Sequence, residues 1–145
     1  DDVVVHIVVG VDGSETSMRA LAWAAARASD GDVVEAVAVW RPMIAFGSDL
    51  SPSAPDAAAL DQITRDGLET AVTVHRQRHP DRDIVIETTV LQGHPGRTLS
   101  HHAEERGADL LVVGRRGSDG FAGMRLGSVS TSVTHHAACP TVVVP

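Results

Sequence analysis

The residues whose types and spacing hold the most chemistry run from Val112 to Val133, VVGRRGSDGFAGMRLGSVSTSV. Gly114 closes an apolar run; Gly117, Gly120, Gly123 and Gly127 follow, and Ser128 stands behind the last of them. Without a Cβ, glycine lets backbone amides turn inward and approach an anion closely. A helix opening at Ser128 adds unpaired N–H groups and the positive end of its dipole. Arg115, Arg116 and Arg125 add fixed charge, and guanidinium matches phosphate oxygens. These are the parts of a phosphate cradle; the competing reading is a glycine-rich surface loop. The following residues, Ser128-Val129-Ser130-Thr131-Ser132, are poor helix formers. Their hydroxyls suit hydrogen bonding at a helix start, to a ligand or as ordinary caps.

A second candidate joins the first strand to the first helix, at Gly10, Val11, Asp12 and Gly13. It is not G-x-G-x-x-G, so the dinucleotide fingerprint is absent. Asp12 can accept hydrogen bonds from a base or ribose, hold a metal-bound water, or bond the amides of its own turn. Other titratable groups have plainer readings. His75 and His79 suit a solvated helix face, with Arg76 and Arg78 between them repelling a cation. His101, His102, Glu104 and Glu105 suit a charged helix face, and His135 and His136 complement a helix C-terminus. Cys139 reads as an apolar filler. No G-x-S-x-G elbow or H-E-x-x-H motif is present, so hydrolytic machinery is not indicated and no catalytic or protein-held metal residue is assigned.

Composition narrows the classes. The twelve basic residues are all Arg, which excludes a Walker P-loop, a Lys Schiff base and the kinase lysine. A net charge of −7 and 3% aromatics argue against nucleic-acid binding. No apolar run reaches the length of a membrane span, and no segment has signal-peptide anatomy. One cysteine fits a reducing, cytoplasmic setting. At 145 residues the expectation is one domain, 1–145.

The elements that must position these residues alternate. Strands are predicted at Val3–Val9, Val33–Trp40, Ile84–Leu91, Leu110–Val113 and Thr141–Val144. Most are near-continuous apolar runs, as expected of a parallel sheet covered on both faces. Ser14 can cap a helix to about Ser29, with Met18, Leu21, Ala22 and Ala25 inward. A second helix spans about 56–79, with Leu60, Ile63, Gly67, Ala71 and Val74 on one side. A third opens at Pro95 and stops at Gly107. A fourth runs from about Gly127 to Ala138, with Val129, Val133 and Ala137 spaced by four. The result is an α/β, doubly wound, Rossmann-like sheet with helices on both faces. The Pro- and Ser-rich 41–55 stretch reads as a flap or partner surface.

Gly114, Gly117, Gly127 and Ser128 fit G-x2-G-x9-G-S/T without a gap. That motif, with the opening IVVGVDGSETSMRALAWA, the segment GADLLVVGRRG and the ending HHAACPTVVVP, resembles the universal stress protein family in its ATP-binding branch. The resemblance spans essentially the whole chain. It implies a five-stranded parallel sheet of order 3-2-1-4-5, which places the first and fourth strands side by side. It further implies that Gly10, Val11, Asp12 and Gly13 meet the ribose and base side and that Val39 lines the adenine pocket. Val113, Gly114, Arg116, Gly117, Gly127, Ser128, Val129 and Ser130 would hold the phosphates, with Arg125 as a looser match. ATP with Mg or Mn is the implied ligand. The last strand, Thr141–Val144, has an apolar edge that invites pairing, and the family pairs it in a homodimer.

The expected function is a nucleotide-dependent regulator or stress-response switch in which ATP orders the 115–126 loop, with slow hydrolysis or none. Phosphate transfer onto Ser128 or Ser130 is an open variant of it. Two alternatives stand beside this reading. One is a scaffold that binds no nucleotide. The other is an adenine-nucleotide-using enzyme on the related fold, which would carry H-x-G-H or S-G-G-x-D-S where this chain has GVDGSE.

Overall fold

The computed structural model of the chain describes residues 3–42, 56–115 and 128–145. Its elements alternate as β1 (His6–Gly10), α1 (Glu15–Arg27), β2 (Val33–Trp40), α2 (Ala57–Arg78), β3 (Val85–Gln92), α3 (Pro95–Glu105), β4 (Leu110–Gly114), α4 (Ser128–His136) and β5 (Thr141–Val144). The five strands form one sheet of order β3-β2-β1-β4-β5, and all four pairings are parallel. This is the doubly wound architecture expected from the alternation of elements, with the strand order that the family resemblance implies.

Successive side chains of β1 go to opposite faces, as the pleat requires. Ile7 and Val9 pack with Met18, Leu21 and Ala24 of α1 and with Leu68, Ala71 and Val72 of α2. Val8 packs with Leu99 and Ala103 of α3 and Val133 of α4. Each Val or Leu that is fully withdrawn from water contributes about 1.5–3 kcal/mol. β1 and β4 need apolar residues on both faces for this reason, and their central residues are buried without interruption.

Helix ends follow their local chemistry. The Ser14 hydroxyl accepts from Ser17 N at 3.2 Å and caps α1, and Asp56 caps α2 by accepting from Ala59 N. Pro95 opens α3, and Gly107 with φ +61° follows its end.

Three local expectations are corrected. β1 begins at His6 and not at Val3, because β2 starts opposite His6 and β4 opposite Ile7, which leaves Val3 and Val4 exposed. β3 spans Val85–Gln92 and not Ile84–Leu91, and at the sheet edge it leaves Val85 exposed rather than covered. The buried stripe of α2 is Leu68, Ala71, Val72 and His75, spaced three, one and three apart; Ile63 and Gly67 lie off it and are exposed.

Candidate functional site

The turn after β1 is built by its own short polar side chains. Ser14 N and Ser14 Oγ both donate to Asp12 Oδ1, at 3.0 and 2.6 Å, and Asp12 N donates to Ser17 Oγ at 3.3 Å. Gly13 has φ +84°, a left-handed conformation that glycine takes without steric cost. Val11 N donates to Val37 O at 2.8 Å, so the chain leaves β1 still held against β2. Asp12 therefore performs the turn role with one carboxylate oxygen.

Beside this turn is a cavity of about 260 Å³ lined by Val11, Asp12, Gly13, Ala38, Val39, Ile63, Thr64, Gly67 and Leu68. It lies outside the carboxyl ends of β1 and β2, where open parallel sheets bind ligands. Its lining mixes apolar side chains from Val11, Ala38, Val39, Ile63 and Leu68 with the polar residues Asp12 and Thr64. Trp40 Nε1 donates to Asp61 Oδ1 at 3.0 Å and ties the end of β2 to α2. Arg65 donates to the same carboxylate at 3.0 Å, and these two donors hold the Asp61 carboxyl below its usual range.

The cavity brings together Val11, Asp12, Gly13 and Val39 from the sequence-predicted set. Gly10 lies at the end of β1, where an added Cβ would stand 2.8 Å from Leu99 Cδ1. Val113 and Gly114 end β4, one strand over, and do not line the cavity. Gly114 is where β4 meets α1: a Cβ there would lie 2.8 Å from the Thr16 carbonyl carbon. Ser128, Val129 and Ser130 form the first turn of α4. Ser130 is fully buried, and its hydroxyl donates to the Arg115 carbonyl at 3.2 Å, which ties α4 to the end of β4. Arg115 N in turn donates to Val144 O. Arg116, Gly117, Gly120, Gly123, Arg125 and Gly127 lie outside the described residues, as does the 43–55 part of the long loop after β2.

Sequence reasoning missed the contribution of α2 to the cavity. Ile63 and Gly67 stand four residues apart on that helix, and both reach the site. A glycine in a helix interior, where it costs stability, was the available signal.

The plain readings of the histidines also need correcting. His75 is 4% exposed and its ring lies 4.8 Å from that of His79, so it belongs to the core and not to a solvated face. Burial pushes its pKa down, and the neighbouring His79 and Arg76 charges act in the same direction. His101 does pair with Glu105 on the exposed face of α3, but His102 turns inward to Glu35. Glu35, in the middle of apolar β2, is a buried carboxylate that takes hydrogen bonds from Thr89, His102, His6 and Arg106. Burial alone would raise its pKa; the donors from Thr89, His102 and His6 outweigh burial and lower it to about 2. Cys139 fits its filler role: burial and the Asp109 charge push the thiol up. Among the described residues, no helix is long and apolar enough to cross a membrane.

The comparisons with known proteins agree with this architecture. Residues 5–145 match the model of the universal stress protein family. Universal stress protein Sll1388 of Synechocystis is 33% identical over 147 residues, covering 95% of this chain and 96% of that protein. A solved universal stress protein in complex with cAMP is 27% identical, with a TM-score of 0.69 and 97% of each chain covered. The universal stress protein from Archaeoglobus fulgidus in complex with dAMP superposes with a TM-score of 0.70 at 24% identity, over 99% of this chain and 100% of that one. With one model matched almost from end to end and a full-length relative at one-third identity, the chain belongs to the universal stress protein family.

Proposed function

We propose that this protein binds an adenine nucleotide at the carboxyl ends of β1, β2 and β4, and that it acts as a nucleotide-dependent regulator of the ATP-binding kind. The observation that carries this reading is the cavity between the β1 turn and α2. Its volume is close to the lower end of the range for small-ligand pockets, about 300–1,000 Å³. The walls from Val11, Ala38, Val39 and Ile63 suit a flat apolar base. Asp12, with Oδ1 bound to Ser14, has a second oxygen to offer a ribose hydroxyl. A relative at 27% identity has been solved with cAMP, which supports an adenine nucleotide of some form.

The phosphates extend toward Gly114 and the first turn of α4. There the amides of Ser128, Val129 and Ser130 supply donors and the helix dipole favours negative charge. Arg116, Gly117, Arg125 and Gly127 complete that side by the G-x2-G-x9-G-S spacing. Mg or Mn would arrive with the polyphosphate and neutralise part of its charge. Phosphate transfer, if it occurs at this turn, falls on Ser128, because the Ser130 hydroxyl is buried and engaged. The chain acts as one domain and pairs through β5 into a homodimer.

Calorimetric titration with ATP, ADP, AMP and cyclic AMP, repeated on Gly117→Ala, tests this reading. Saturable binding of at least ATP at one site per chain, weakened in Gly117→Ala, is expected. A full set of flat titrations would favour the nucleotide-free scaffold.

A further inference from the structure

At the other end of the sheet, three elements, β1, β3 and α3 with its C-cap, deliver donors to one buried group. Glu35 is the sole charge in β2, and its side chain is 1% exposed. His6 Nε2, from β1, lies 2.8 Å from Glu35 Oε1, and His102 Nε2, from α3, lies 2.6 Å from Oε2. Glu87 stands opposite Glu35 in the β2–β3 register. Donor atoms of His6, Glu35 and Glu87 all lie within 4.8 Å of one another. Arg106 is the cation facing both carboxylates, at 3.2 Å from Glu35 and 3.5 Å from Glu87. Two carboxylates face this one guanidinium.

We propose that this cluster binds a divalent transition-metal ion of the zinc class, with His6 Nε2 and the Glu35 and Glu87 carboxylates as ligands and water completing the tetrahedron, while His102 holds Glu35 in place through its other oxygen. Four donors at 2.0–2.2 Å from a tetrahedral ion stand about 3.3 Å apart. The His6–Glu35 spacing of 2.8 Å is within an ångström of that value, and Glu87 has to move inward by an ångström or so. Its side chain is 47% exposed and has room to do so. Arg106 is 46% exposed at the end of α3 and can leave toward solvent as the ion takes its place. The imidazole nitrogen selects against magnesium and calcium, which prefer all-oxygen shells. The site is separate from the nucleotide cavity. His6 begins β1 and Gly10 ends it, roughly 13 Å away along the strand. A bound ion would pin β1, β2 and β3 together and would not depend on nucleotide.

The test is titration of the chelator-treated, nucleotide-free full chain with Co²⁺, followed by displacement with Zn²⁺. One Co²⁺ per chain, with visible d–d bands that Zn²⁺ abolishes, is expected. His6→Gln should weaken binding roughly 10- to 100-fold or more, since even outer-shell changes at metal sites cost that much. Arg106→Gln, at a half-exposed position, removes the competing cation and should tighten binding. The proposal is overturned if the wild-type chain gives no bands, or if His6→Gln binds as tightly as wild type. Should His6→Gln fail to fold, unchanged or weaker Co²⁺ affinity in folded Arg106→Gln overturns it as well.

Discussion

Gly67 has open space where its Cβ would be, sits in the interior of α2, and borders the cavity. Gly67→Leu should therefore leave the fold intact, yet fill the base site and lower adenine-nucleotide affinity at least tenfold by calorimetry. Unchanged affinity in a folded variant would remove the base from this cavity. His75 allows a prediction about pH. Its folded-state pKa is lowered by burial, so the unfolded chain binds the proton more readily. Its contribution to stability is then complete above the unfolded value, about 6.5, and is lost as pH falls below it. His75→Leu should flatten the decline of the urea midpoint between neutral and mildly acid pH relative to wild type; parallel curves would contradict this. Single residues were unevenly legible in the sequence. The turn at Asp12 was readable because a strand-to-helix turn has a fixed place in this topology, and Val39 came from the family resemblance; both line the cavity. Glu35 was passed over in a run otherwise apolar, and its partners His6 and His102 come from distant segments that spacing does not connect.

Gly114 and Gly10 make a paired test of how the elements are joined. A Cβ on Gly114 would meet the backbone of Thr16 and Ser17, which can yield only if α1 shifts. A Cβ on Gly10 would meet chiefly the methyl end of Leu99, a side chain with rotamers to spare. Gly114→Ala should cost about 1–3 kcal/mol, the usual price of overpacking, and Gly10→Ala less. Urea unfolding of the two variants checks the order, and the reverse order would contradict the packing described. The elements were legible because their ends are chemically marked: Ser14, Pro95 and Gly107 did what their backbone preferences dictate. The face of α2 was not, because that helix has two apolar stripes. One packs on the sheet through Leu68, Ala71 and Val72; the other presents Ile63 and Gly67 to the cavity. Periodicity reports that a stripe exists and does not say which stripe meets the core.

For the whole molecule, alternation of strands and helices was enough to give the doubly wound class, because right-handed crossovers leave few other arrangements. The strand order came from the family resemblance, and the sheet has it. β5 lies at one edge with half-buried valines, so sedimentation at tens of micromolar should give a dimer; a monomer there would contradict pairing through β5. The central claim is the place of the nucleotide. A crystal structure of the protein grown with ATP and Mg²⁺ tests it most directly. The account predicts adenine against Val39, Ile63 and Gly67, ribose at Asp12, and phosphates at the first turn of α4. Density for the nucleotide elsewhere, or an empty cavity at saturating ATP, would contradict it.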